Sequence, residues 1–239
     1  MNNKLPIGIF DSGLGGLTVL KALMQAMPTE SYVYFGDTAH VPYGNKSKAV
    51  IIKYVLKICQ FLKKKNVKLI IVACNTASSL SIKILKSEFS IPIIDVITPM
   101  KYFIQSNKKI NKIGVIGTHN TITSKAYNTT ILSINSQIKI YSVACPLFVP
   151  IIEEGLANDE IAHIMVKKYL KTLIEYKIQI LVLGCTHYPI IKNTIFKTIP
   201  NTISIIDSAE ATASYVKNYL RYNQLRVVTD SHSLICYIS

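Results

Sequence analysis

No stretch of the sequence approaches the roughly 18 consecutive apolar residues of a membrane-spanning helix. The longest candidate, Ile140 to Ile152, is broken by Pro146 and Pro150. The opening, M-N-N-K-L-P-I-G-I-F-D-S, has too short an apolar stretch before Asp11 for a signal peptide, so a cytoplasmic protein without membrane contact is expected. Metal and disulfide patterns are lacking too. The five cysteines (59, 74, 145, 185 and 236) are odd in number and widely spaced, with no C-x-x-C pair and only His187 close to one of them. No metal is therefore expected, and in a reducing compartment such thiols are read as chemistry rather than as cross-links. Acidic residues are scarce, 13 against 27 lysines and arginines, which leaves a net charge of +14. Apart from Lys63 to Lys65 the lysines are scattered, and no RNA-recognition signature, zinc-finger spacing or basic heptad region accompanies them. The excess is read as a solvated face that also attracts a small acidic substrate, and nucleic acid is not the expected partner.

What is present is a core. With 49% hydrophobic and 17% charged residues in 239, the chain can form one large or two small domains. Its organising stretch is Leu69 to Ser79, L-I-I-V-A-C-N-T-A-S-S, where a fully apolar run stops on Cys74 before small hydroxyl and amide residues. Such a run suits a strand buried on both faces, and Asn75, Thr76, Ser78 and Ser79 are residue types that cap helices. A helix is predicted just after Cys74, and a thiol at a helix N-terminus is expected to ionise more readily than a free one. Ile180 to Pro189, I-L-V-L-G-C-T-H-Y-P, repeats the design around Cys185. Buried filler is the plain reading of any one cysteine. Two of them, each at a strand end and each followed by Asn-Thr or Thr-His, favour function. Cys59, on the apolar face of a helical pattern, does not.

Taken in order, Ile7 to Phe10 is a strand running into Asp11-Ser12-Gly13-Leu14-Gly15-Gly16 and a helix from Leu17 to Met27. A dinucleotide fingerprint would need a third glycine where Thr18 stands, and Asp11 would repel a phosphate, so the glycines are read as letting a ligand approach beside a carboxylate. Tyr32 to Phe35 is a second strand, ending at Gly36-Asp37-Thr38. A Pro/Gly-punctuated loop through Tyr43 and Gly44 follows, then Ser47 as cap of a helix over 48–64. After the Cys74 strand come a helix near 76–86 and a strand at 92–96. From Lys112 the pattern restarts, because Ile113-Gly114-Val115-Ile116-Gly117-Thr118 echoes Ile7 to Ser12. A helix over 159–176, a strand at 203–208 and a final helix over 209–222 complete it. Strands alternating with helices predict an α/β fold of two similar doubly wound domains, with mainly parallel sheets facing each other across a cleft. Ligands of such sheets bind beyond the carboxyl ends of the strands, where Asp11, Asp37 and Cys74 fall.

Two thiols approaching one ligand from opposite faces suit a racemase. One base removes a proton from a stereocentre and an acid returns one to the other side. Asp11 is a candidate assistant for Cys74 and His187 for Cys185.

At these residues the chain resembles the glutamate racemase family. The resemblance spans nearly the whole chain: D-S-G-L-G-G at 11–16, G-D-T-A at 36–39, P-Y-G-N-K-S at 42–47, A-C-N-T-A-S at 73–78, G-T-H-N-T at 117–121, F-V-P-I-I-E-E-G at 148–155 and G-C-T-H-Y-P at 184–189. It implies cofactor-independent interconversion of L- and D-glutamate, supplying D-glutamate for peptidoglycan. Cys74 would act on D-glutamate and Cys185 on L-glutamate, assisted by Asp11, Glu153 and His187. Substrate contacts would come from Asp11, Ser12, Tyr43, Gly44, Asn75, Thr76, Thr118, Thr186 and His187. The implied domains are 1–97 with 207–239, and 98–206; a homodimer is one candidate assembly.

Each assignment has a plainer competitor. Asp11 could cap the helix at Leu17, His187 could be an ordinary histidine, and Glu154 is as available as Glu153. Tyr43 could offer only its backbone, and Asp37 could only tie its loop. Two departures from the family pattern stand out. His40 replaces a common arginine, and the tail from Val227 to Ser239 stops short of the closing helix that usually follows. Aspartate racemases of the same superfamily usually carry Glu after Cys-Thr, where His187 stands here, and a related decarboxylase would keep one cysteine. A basic binding protein with a vestigial site is the alternative of another class, but decay should have removed some of these residues.

Overall fold

A computed structural model of the chain describes residues 4–106, 109–227 and 232–239. The first three residues of the opening, and residues 228–231 of the tail, lie outside the described residues. Short Ile/Val-rich runs become strands and the amphipathic stretches become helices. The first half contains β1 (Ile7–Asp11), α1 (Leu17–Ala26), β2 (Tyr32–Gly36), α2 (Lys48–Lys64), β3 (Leu69–Val72), α3 (Asn75–Glu88) and β4 (Ile93–Asp95). After α4 (Met100–Gln105) come β5 (Lys112–Gly117), α5 (His119–Thr123), α6 (Ala126–Leu132), β6 (Lys139–Ala144), α7 (Phe148–Glu153), α8 (Glu160–Glu175), β7 (Ile180–Gly184), α9 (Lys192–Thr198) and β8 (Ser204–Asp207). The chain closes with α10 (Ser208–Tyr222) and β9 (Leu234–Ile238). Among the described residues no helix is long and apolar enough to cross a membrane.

Two sheets form, ordered β4-β3-β1-β2-β9 and β6-β5-β7-β8, and every pairing is parallel. Leaving β9 aside, the orders are the same: the first strand of each half is central, the second lies on one side of it, the third and fourth on the other. The echo between Ile7–Ser12 and Ile113–Thr118 is therefore an echo of topology. Right-handed crossovers place helices on opposite faces when the direction of travel reverses. Accordingly α1 packs with α10 on one face of the first sheet, and α2 with α3 on the other. In the second sheet α8 and α9 cover one face, α4 and α6 the other. The reversal opens a crevice at the carboxyl end of each sheet, between β1 and β3 and between β5 and β7. Asp11, Ser12 and Cys74 emerge at the first, Thr118 and Cys185 at the second.

The predicted helix over 48–64 is present with Ser47 as its cap, the hydroxyl accepting from Val50 N at 3.4 Å. Two strands carry no readable signal in the sequence. Both are sheet edges: β6 is only half-buried, and β9 leaves Leu234 and Ile238 exposed to solvent. The return of the chain after α10 is held by a fully buried ion pair. Lys68 Nζ donates to Glu30 and to Leu225 O (2.9 Å), and Glu30 Oε1 accepts from Val227 N at 2.9 Å. Every polar atom of that pair is thereby occupied by a charge or a backbone group, which is the condition for burying it.

Candidate active site

Cys74 is the N-cap of α3 itself; its Sγ accepts from Ala77 N at 3.5 Å, the place in which Asn75 or a hydroxyl residue was expected. The thiol donates to Ser12 Oγ at 3.5 Å. The expectation that the helix terminus would ease its ionisation is overturned. Burial pushes the Cys74 thiol up to about 12 and the nearby Asp11 carboxylate pushes the same way, outweighing the Ser12 and Ala77 hydrogen bonds. Cys185 is raised as well, first by burial, with Cys74 and Asp11 adding to it against the N–H groups of His187 and Tyr188. Burial therefore favours the thiol form at both, and both are about 5% exposed or less.

The two cysteines line one cavity of about 100 Å³ between the sheets. That is well below the roughly 300–1,000 Å³ of pockets that take drug-sized ligands, so the site suits a small molecule. Ser12, Tyr43, Gly44, Asn75, Thr76 and Thr118 line the same cavity, and so do Glu153, Thr186 and His187. Asp11 does not; it sits behind the wall. Its Oδ2 accepts from Gly13 N (3.0 Å) and its Oδ1 from Thr186 Oγ1 (3.3 Å), so it reaches Cys74 through its field and not through a bond, and it caps no helix. Tyr43 commits its hydroxyl to Asp37 Oδ2 at 2.5 Å, and His40 Nδ1 lies 2.7 Å from Asp37 Oδ1. Asp37 thus ties the loop, through both Tyr43 and His40. Asn75 is engaged by Tyr127, which donates to Oδ1 at 2.6 Å, and by Ser208 at 3.3 Å. Thr76 Oγ1 meets Thr118 Oγ1 at 2.9 Å, a hydroxyl pair joining the two halves.

Between the two glutamates the geometry chooses Glu153. His187 Nε2 is 3.1 Å from Glu153 Oε1, while His187 Nδ1 faces Cys185 Sγ at 3.9 Å. Glu153, the last residue of α7, lines the cavity, and Glu154, one residue past the end of the helix, does not. The glycine-rich loop also differs from expectation. A side chain at Gly15 would run into the His187 ring and Thr186 Oγ1, and one at Gly16 into Asp11. These glycines admit side chains of the protein rather than a ligand. Cys145, buried at the end of β6 and lining the cavity, is a third thiol that no motif reading singled out. Val41, Pro42 and Asn45 also line it; Pro42 and Asn45 belong to the P-Y-G-N motif and Val41 precedes it, and that was their signal. Among the described residues no three of His, Cys, Asp and Glu converge to hold a metal ion.

A family model described as Asp/Glu/Hydantoin racemase matches residues 13–216. The chain belongs to this racemase family. Within the family, the glutamate racemase of Geobacter metallireducens is 47% identical over 219 residues, covering 92% of this chain and 81% of that one. A glutamate racemase from Francisella tularensis, solved with D-glutamate, superposes with a TM-score of 0.92 at 41% identity, covering 99% of this chain and 88% of the other. The isoform from Bacillus anthracis reaches 0.96 at 34% identity, covering 99% and 89%. The aspartate racemase of Picrophilus torridus shares the fold alone, at 18% identity and a TM-score of 0.66.

Proposed function

We propose that the protein is an isomerase that interconverts L- and D-glutamate without a cofactor, with Cys74 and Cys185 as the two acid/base groups. The observation that carries this reading is the pair of buried thiols, set at equivalent crevices of two like-ordered sheets and facing one small cavity. A thiolate on one side takes the α-proton, and the thiol opposite gives its own proton to the other face. The stereocentre is then inverted, and thiol and thiolate have exchanged places.

The free protein disfavours thiolate at both sulfurs, so the substrate itself must help. Its α-ammonium brings a positive charge into a site where burial and Asp11 resist negative sulfur, and a nearby cation favours the ionised form. The two sides are assisted differently. With Nε2–H donated to Glu153, His187 presents Nδ1 as an acceptor to Cys185, and a proton passing from sulfur to that nitrogen leaves a thiolate beside an imidazolium held by Glu153. Cys74 has hydrogen-bond partners but no imidazole, and burial and the field of Asp11, which oppose thiolate at both sulfurs, are not offset there by a nearby base. Of the two sulfurs Cys185 is the one with an imidazole placed to take its proton, and by the family resemblance it is the sulfur that acts on L-glutamate. Hydroxyls of Ser12, Thr76 and Thr118, with the backbone at Gly44, Asn75 and Thr186, receive the carboxylates.

The domain division 1–97 with 207–239, and 98–206, belongs to the same proposal. Strand membership supports it, since β1 to β4 and β9 share one sheet, although β8 carries the second sheet to Asp207. A cytoplasmic setting and a supply of D-glutamate to peptidoglycan complete the reading. The test is proton NMR in heavy water with L-glutamate, D-glutamate and aspartate separately, without added cofactor. Loss of the α-proton signal with appearance of the opposite enantiomer, for glutamate alone, is the expected result. Folded protein that exchanges none of them would sink the reading.

A further inference from the structure

The loop between β2 and α2 puts Val41, Pro42, Tyr43, Gly44 and Asn45 into the cavity wall, so it closes the site from the side of the first sheet. Within its own half it is tied by Asp37, through Tyr43 and His40, and the His40 ring stacks on Tyr54 with centroids 4.0 Å apart. From the other half α5 meets it. Gly44 lies against Thr118, where an added Cβ would come within 3.2 Å of the threonine Cβ. Asn120 reaches over the loop, its Nδ2 donating to Tyr43 O at 3.1 Å and to Lys46 O at 2.8 Å. A side-chain amide has two N–H groups, and both are spent here on carbonyls at the two ends of one turn.

We propose that Asn120 is a positioning residue that latches this loop across the cavity, an inference that rests on the racemase reading of that cavity. It touches neither sulfur and it does not line the cavity. With both sulfurs nearly inaccessible, parting of the loop from α5 is the step that admits substrate on this proposal, and capture is complete when the two Asn120 bonds re-form. The latch therefore acts on retention of substrate and not on proton transfer. Two ordinary hydrogen bonds carry roughly tenfold or more in an equilibrium of this kind.

The test compares full-length protein with Asn120→Ala, Asn120→Ser and Asn120→Asp, by hydrogen–deuterium exchange of the peptide spanning 41–47 and by racemisation kinetics in both directions. In Asn120→Ala the amides of that peptide are expected to exchange about tenfold faster. KM should rise about tenfold for both enantiomers, with kcat within twofold and the melting temperature lowered by no more than about 5 °C. Asn120→Ser should retain part of the effect. Asn120→Asp should be at least as damaging as alanine, because a carboxylate cannot donate and would face two carbonyl oxygens. Unchanged exchange in the 41–47 peptide would overturn the latch, and faster exchange with unmoved KM would overturn its role in positioning. Failure of the racemase reading is a separate result, seen as wild-type protein that does not racemise before any variant is compared.

Discussion

Glu153→Gln removes a charge from the His187 relay while keeping an acceptor of the same size. The bond it alters is His187 Nε2 to Glu153 Oε1 at 3.1 Å, with the carboxylate side chain 43% exposed and the imidazole 9% exposed. A hydrogen bond to a charged group contributes about 1.5–3 kcal/mol when shielded, and partial exposure of the carboxylate argues for the lower end. About 1.5 kcal/mol corresponds to roughly a tenfold change. The loss should fall on the state in which His187 is an imidazolium, that is, with Cys185 as thiolate. Turnover from L-glutamate should therefore drop about tenfold, and turnover from D-glutamate, which begins with Cys74 as base, distinctly less. The enantiomers have equal free energies in water, so kcat/KM must be equal in the two directions for any variant. The two KM values have to shift apart to compensate. Initial rates from each pure enantiomer, followed by optical rotation, measure all four constants. Equal falls in both kcat values, or none in either, would refute a relay dedicated to Cys185.

Gly15→Ala places a methyl group against His187 and Thr186, and a displacement of the order of 1 Å at such a site costs roughly 100-fold in rate; the expected result is that loss in kcat with unchanged far-UV circular dichroism. Burial disfavours the charged form of Cys74 and sets it near 12, so its thiolate fraction in the free protein rises about tenfold per pH unit through the neutral and mildly alkaline range. Iodoacetamide labelling of Cys74, followed by mass spectrometry beside the exposed Cys236, should climb with pH without levelling off below about pH 11; a midpoint near pH 8.5 with levelling above about pH 9.5 would show an ordinary thiol.

The alternation of strands and helices was legible because each strand of the sheet interiors is buried on both faces and each helix on one. The repeat from Lys112 onward announced a second half of similar plan, and the structure shows its sheet to have the same strand order. Burial itself was not legible. The helix-terminus argument for Cys74 was locally sound, since the sulfur does cap α3, but a sequence does not show how much low-dielectric protein surrounds that sulfur, and here desolvation decides the direction. Nor could it separate Glu153 from Glu154, because their difference is set by a histidine 34 residues away in the chain. The glycines of the first loop signalled a close approach, and only the assembled halves reveal that the approaching group is His187. Asn120 was visible within G-T-H-N-T as a motif letter without a role. Its two acceptors belong to the other half of the molecule.

The central claim is that two thiols exchange one proton across the substrate. Its most direct test is racemisation of L- and D-glutamate by Cys74→Ala and by Cys185→Ala, each shown to be folded by circular dichroism and thermal melting. The account expects both variants to lose racemisation in both directions, since either deletion leaves one face of the stereocentre without its acid or base. Wild-type turnover by either variant would contradict it.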